Sequence, residues 1–207
     1  MYKIYDVSMA IHEGMTVYKN KPEKQPAFET VQNNYVSETR VSLDVHTGTH
    51  VDAPLHMVVS GETMESISLE DLVGPCRVLD LSHVKDGITA DDLAPFDIQE
   101  GEFLLLKTAN SLDTAFNPDF IYVKEDAAKL LAYKRVKGVG IDALGIERSQ
   151  PGHPTHKCLF GAKIIIIEGL RLQDVPAGKY FMMAAPIKLI GTDAAPARVV
   201  LVEGLLG

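Results

Sequence analysis

The stretch of this chain richest in chemistry is His46-Thr47-Gly48-Thr49-His50-Val51-Asp52-Ala53-Pro54-Leu55-His56, which holds three of the seven histidines and an aspartate. Imidazole and carboxylate together suit a borderline divalent ion such as zinc or manganese. On a helix His46 and His50 would share a face, but Asp52 would lie roughly 200° further around the axis. Pro54 and the β-branched Thr47, Thr49 and Val51 also argue against a helix. In an extended chain positions 46, 48, 50 and 52 point to one side, yet a straight strand would hold His46 and His50 about 13 Å apart. Gly48, with no Cβ, permits the bend that brings them together. The expectation is a strand that kinks at Gly48 and enters a loop at Pro54.

A second group lies further on. Glu168 directly follows Ile164-Ile165-Ile166-Ile167. A carboxylate at the end of a buried strand is costly unless it is paired or holds a metal. Either a ligand or a strand-end carboxylate turned to solvent or a lysine satisfies that condition. His156 precedes the strand, so the two would meet only if residues 157–163 fold back as a helical turn. On its own, His156 reads as an ordinary structural histidine.

The elements that must position these groups read as follows. Strands are expected at 3–7, 27–33 and 39–47, the last alternating Val41, Leu43 and Val45 towards a core with even positions carrying the ligands. Residues 13–26 read as an ordered arm. Ser68–Leu72 reads as one helical turn capped by Ser68, and Thr89–Leu93 as a short capped helix. Residues 102–109 (EFLLLKTA) form an apolar run of strand length, buried on both faces. Glu125–Lys134 is the clearest helix, with Ala128, Leu131 and Ala132 as its apolar stripe. Strands at 76–82, 136–142, 164–168, 179–185 and 197–203 complete the set, and 147–161 is a loop or short helix. The pattern gives a single α/β domain over 1–207, richer in strand than helix, and leaves the strand order open.

Composition limits the partners. The 207 residues carry a net charge of -8, which disfavours nucleic acid and anionic membrane surfaces. Lys19, Lys21 and Lys24 read as too interspersed to make a basic patch. No apolar run approaches a membrane span or a signal-peptide core, and two distant cysteines, Cys76 and Cys158, make no disulfide framework. A cytoplasmic protein acting on a small molecule is the expectation.

The segment His46–His56 resembles the His-x-Gly-Thr-His-x-Asp-Ala-Pro-x-His signature of the cyclase-like metal-dependent hydrolases, a family that includes bacterial kynurenine formamidase and isatin hydrolase. The segments Gly138–Asp142, His156–Leu170 and Gly191–Arg198 resemble the family in the same order. The resemblance implies a swivelling β/β/α-like fold, a small α/β domain whose mixed, strand-rich sheet curves towards a barrel with few helices. It also implies one or two divalent ions, zinc or manganese, and a homodimer or homotetramer. Carried over by position, His46, His50 and Asp52 would bind the first ion. Asp52 would bridge to a second, completed by His156 and Glu168, and His56 would be the acid/base.

Such a site would hydrolyse a small amide, with N-formyl-L-kynurenine of tryptophan catabolism as the leading substrate. An isatin-like lactam is the alternative, and a non-catalytic metal-binding protein a more distant one. A divalent ion lowers the pKa of water from about 15.7 towards 7 and polarises a carbonyl. His56, not itself a ligand, would move the proton. Tyr18 in the N-terminal arm is a candidate for stacking on an aromatic substrate. His153 is a candidate for the pocket mouth, while His12 and His83 read as surface or structural. The arm sequence Tyr18-Lys19-Asn20-Lys21 departs from the aromatic-Pro-Gly-Asp of the formamidases. Asp142 and Asp193 are candidates either to orient ligand histidines or to cap turns. No Gly-x-Ser-x-Gly or phosphate-cradling loop occurs. Cys158 beside His156 reads as a small core residue in preference to a nucleophile.

Overall fold

Alternating side chains on buried strands give this protein two cores on either side of one sheet. The computed structural model describes residues 2–205. Its strands are β1 (Lys3–Asp6), β2 (Ala27–Asn33), β3 (Val36–Ser42), β4 (His50–Asp52), β5 (Val73–Asp80), β6 (Gly87–Ile88), β7 (Phe103–Lys107), β8 (Tyr122–Val123), β9 (Gly138–Ile141), β10 (Ile165–Glu168), β11 (Gly178–Pro186) and β12 (Ala194–Glu203). The helices are α1 (Leu69–Leu72), α2 (Ala90–Leu93), α3 (Glu125–Tyr133) and α4 (Pro154–Gly161).

The main sheet runs β1-β12-β11-β5-β7-β9-β10-β4, and an added β12–β4 pairing closes seven of these strands into a barrel. β5, β7, β9 and β10 are parallel neighbours, whereas β4, β11, β12 and β1 join antiparallel. This is the strand-rich mixed barrel with few helices that the resemblance implied. Along β7, Phe103 and Leu105 enter the barrel with Val51 and Ile167, while Leu104 and Leu106 pack outside against Leu131, Leu159 and Phe160. The run at 102–109 is therefore buried on both faces, as its continuous apolarity predicts.

The strand expected at 39–47 stops at Ser42, and its inferred parity is wrong. Val41 is 49% exposed, and residues 43–49 form turns and coil in place of strand. Asp44 ends the strand: its carboxylate accepts from the His46 N–H at 2.9 Å and its carbonyl from Thr47 N at 3.0 Å. Such local side-chain bonds compete directly with a ladder. β2 and β3 pair only with each other and stand exposed from the barrel. Ser68 precedes α1 as expected but makes no side-chain cap, its hydroxyl bonding to Glu70 instead. Thr89 caps α2 with a full capping box to Asp92. Among the described residues no helix is long and apolar enough to cross a membrane.

Candidate metal centre

The three-residue strand β4 places the first functional side chains. It is wedged between β10 and β12, with His50 opposite Glu168 and Asp52 opposite Ile166 and Ala194. Strand parity sends Val51 into the barrel core and turns His50, Asp52 and Glu168 to the opposite face. The kink at Gly48 is present, with φ at +64°. Gly169, at φ +71°, lets the chain after Glu168 pass this kink: a Cβ there would lie 2.3 Å from the Gly48 carbonyl oxygen. Thr49 locks the crossing by donating its hydroxyl to the Gly169 carbonyl at 2.5 Å.

His156 arrives from the first turn of α4. That helix folds the chain back before β10, so His156 Nε2 lies 3.4 Å from Glu168 Oε1 and 4.0 Å from Asp52 Oδ2. His50 Nε2 stands 3.4 Å from both Asp52 Oδ1 and Glu168 Oε2. The other nitrogen of each ring is committed. His50 Nδ1–H donates to the Gly48 carbonyl at 2.9 Å, and His156 Nδ1–H to Glu147 Oε2 at 2.8 Å. In the neutral imidazoles both Nε2 lone pairs therefore face carboxylates, an arrangement that a cation between them would satisfy.

The buried unpaired atoms point the same way. Among the described residues, His50 Nε2, His156 Nε2 and both Asp52 carboxylate oxygens are buried without a hydrogen-bond partner. Ligand atoms converge in two sets that share Asp52: His50–Asp52–Glu168 and His46–Asp52–His56. A third set, Glu147–His153–His156, flanks them. The donors present fit a divalent ion of the zinc or manganese kind.

Burial and the groups' own charges set the pKa values of this cluster in opposite directions. Burial opposes charge on His50, yet Asp52 and Glu168 raise it to about 10. Burial likewise opposes charge on His156, which Glu147 and Glu168 raise to about 10. Burial and Asp52 push Glu168 upward, but His156 and His50 hold it at about 2. Burial works against the charge on Asp52, and the same histidine cluster keeps it well below the usual carboxylate range.

His46 and His56 occupy the open side, with ring centroids 4.1 Å apart. His46 puts Nδ1 3.0 Å from Asp52 Oδ1 and Nε2 3.0 Å from Asp193 Oδ2. His56 follows β4 on a 3-10 turn that begins at Pro54, and its Nδ1 is 3.5 Å from Asp193 Oδ2. Burial lowers the pKa of His56. A cavity of about 290 Å³ opens over these groups, lined also by Tyr18, Met57, Leu144 and His153. His153 is exposed at the head of α4 with φ at +52°. Tyr18 lines the cavity and makes a T-shaped contact with Phe116.

The two aspartates part ways. Asp193 contacts both His46 and His56, held in place where its own carbonyl accepts from Ala53 N at 2.9 Å. Asp142 touches no site histidine and binds Thr108 N, Thr108 Oγ1 and Ser111 Oγ, so it caps the turn after β7. Glu147 escaped the sequence reading. It lies buried ahead of α4 and accepts from Thr155 N, His156 N and His156 Nδ1. A carboxylate just upstream of a helix that opens Pro-Thr-His was the available signal. Cys158 is half-buried against the outer core, in keeping with a packing role.

Residues 5–148, well over half of the chain, match the family model Cyclase, described as "Putative cyclase". The chain belongs to the cyclase family. Within that family it is 31% identical over 204 residues to kynurenine formamidase of Salinibacter ruber, with 96% of each chain covered. A solved structure titled a potential metal-dependent hydrolase with cyclase activity is 64% identical, covers 98% of both chains and superposes with a TM-score of 0.94. Isatin hydrolase A of Ralstonia solanacearum shares the cyclase-family fold at a TM-score of 0.84 and 22% identity, covering 97% of this chain and 92% of its own.

Proposed function

We propose that this cyclase-family protein is a metal-dependent amidohydrolase of the arylformamidase type, cleaving N-formyl-L-kynurenine to kynurenine and formate. The observation that carries the reading is the convergence of His50 Nε2, His156 Nε2 and the Asp52 carboxylate, buried and without hydrogen-bond partners, beside His56, whose pKa burial lowers. The name of the Salinibacter ruber relative supports the substrate. His46, His50, Asp52, His156 and Glu168 would hold one or two ions of zinc or manganese. A bound divalent ion supplies Lewis acidity, polarising a carbonyl and making water acidic enough to ionise near neutral pH.

The chain's own groups do the rest. Burial lowers the pKa of His56, which favours the unprotonated ring that can accept the proton of the attacking water. The ring then delivers that proton to the aryl nitrogen as the C–N bond breaks, releasing formate and the amine. Asp193 sits against both His46 and His56 and fixes their ring orientations. Glu147 does the same for His156. Tyr18, Met57 and Leu144 give the substrate an apolar wall.

The reading extends to setting and assembly. Unpaired Cys76 and Cys158 support a cytoplasmic location. A homodimer or homotetramer is supported by the β2–β3 hairpin, which exposes Val31, Tyr35, Val36 and Val41. Two strands alone are marginally stable in water and gain from a partner surface.

The test is hydrolysis of N-formyl-L-kynurenine by chelator-stripped protein and by protein restored with zinc or manganese. Turnover that returns with metal and is lost in His56→Ala supports the reading. Metal-restored protein that opens isatin and leaves the formamide intact moves the substrate to lactams.

A further inference from the structure

The arm that covers the site carries a charge pattern that catalysis does not use. Lys19, Lys21 and Lys24, separated in sequence, all line the mouth of the cavity above His46 and His56. The turn of the arm brings these separated lysines to one rim. Lys19 and Asn20 both adopt the left-handed conformation, at φ +58° and +50°. Two consecutive non-glycine residues in that region are costly, and such strain gathers at functional sites.

Two of the three ammonium groups already have partners. Lys24 Nζ pairs with Asp44 at 3.2 Å and Lys21 Nζ with Glu23 at 3.6 Å. Lys19 pairs with no carboxylate among the described residues, and its Nζ lies 5.3 Å from the centre of the Tyr18 ring. The cavity's carboxylates, Glu147 and Glu168, are buried and turned to His156. Among the described residues that line it, the mouth therefore offers a cation without a carboxylate partner and no unpartnered carboxylate, on a protein whose net charge of -8 would otherwise repel anions.

We propose that Lys19 is a specificity-determining residue that selects aromatic amides carrying a carboxylate beyond the reacting bond. The aromatic body would lie against Tyr18, and the carboxylate would meet the ammonium at the rim. This inference rests on the hydrolase reading and adds to it the charge of the substrate.

The test compares N-formylkynurenine with N-formylkynuramine, the same formamide with hydrogen in place of the carboxylate. Metal-restored wild type, Lys19→Asn and Lys19→Arg are assayed at low and high salt. Asparagine tolerates the left-handed backbone, so Lys19→Asn removes the charge without forcing the arm to move. The expected result is a loss of about two- to fivefold in kcat/KM for N-formylkynurenine, the range of an exposed ion pair. It should appear in KM, vanish at high salt, be rescued by Lys19→Arg and spare N-formylkynuramine. Equal loss on both substrates, or none, overturns the proposal and leaves the formamidase reading standing. If neither substrate is hydrolysed, the formamidase reading falls, and calorimetric binding of kynurenine and kynuramine decides on Lys19. Tighter binding of kynurenine that weakens only in Lys19→Asn upholds its role, and equal or absent binding overturns it.

Discussion

Glu147→Gln is the substitution that most sharply separates a built metal centre from a chance gathering of histidines. Glu147 lies outside the two converging sets that share Asp52 and joins a third with His153 and His156, so it bears on the Asp52 sets through His156. Its Oε2 accepts from His156 Nδ1 at 2.8 Å and from His156 N at 3.1 Å. Its Oε1 accepts from Gln150 Nε2 at 2.7 Å and from Thr155 N at 3.3 Å. Glutamine keeps the shape but has one acceptor oxygen for these four donors, and its NH₂ group must face N–H groups. It also removes the negative charge that makes His156 a better donor of its Nε2 lone pair. Loss of such an orienting partner costs about 10–100-fold in metal affinity, or roughly 1.4–2.8 kcal/mol. The assay is competition with a chromophoric chelator for zinc and manganese, with circular dichroism to confirm the fold. Asp142→Asn is the control, since that carboxylate is equally buried but bonds only Thr108 and Ser111. Unchanged affinity in Glu147→Gln, or an equal fall in Asp142→Asn, would refute the reasoning.

Three other outcomes follow from the same geometry. In the metal-free protein, His50 and His156 rise from 6.5 to about 10, so their stabilising contribution is full below pH 6.5 and is lost as pH rises through 10. Glu168 falls from 4.5 to about 2, so its contribution is full above pH 4.5 and lost as pH drops through 2. The Tm of stripped protein should therefore be highest near pH 4.5–6.5 and decline towards pH 10, and metal loading should abolish the alkaline decline. A flat alkaline limb in stripped protein would contradict this. Gly169→Ala combines a left-handed φ with a Cβ 2.3 Å from the Gly48 oxygen, and should cost about 2–6 kcal/mol by urea titration. Gly101→Ala, at φ +78° with open space, should cost only the backbone share, about 1–2 kcal/mol. Burial pushes the Cys76 thiol up to about 12, so iodoacetamide should label the half-buried Cys158 well before Cys76 in native protein, as read by mass spectrometry.

Where one physical rule governs a segment, the sequence shows it plainly. Phe103–Leu106 and Ile164–Ile167 are unbroken apolar runs of strand length, and Thr89 with Asp92 is a readable cap. The candidate ligand residues in His46–His56 are also legible, since few sequences place imidazoles and a carboxylate around a glycine in this way. What stayed hidden depends on contacts distant in sequence. β4 is a strand only because β10 and β12 flank it, and three residues leave no periodic signal. Val41 looked like a core residue because its alternation continues into Leu43 and Val45, but the Asp44 turn breaks the ladder. Glu147 and the lysines at the rim are placed by backbone turns, at α4 and in the arm, that spacing along the chain does not record.

The most direct test is crystallography of protein loaded separately with zinc and with manganese, using anomalous scattering at each absorption edge. The expected result is a peak within bonding distance of His50 Nε2, Asp52, His156 Nε2 and Glu168, with no peak there in Asp52→Asn. Loaded crystals with no anomalous density at Asp52, or with the ion bound elsewhere and the cluster held together by protons alone, would contradict the metal-dependent mechanism.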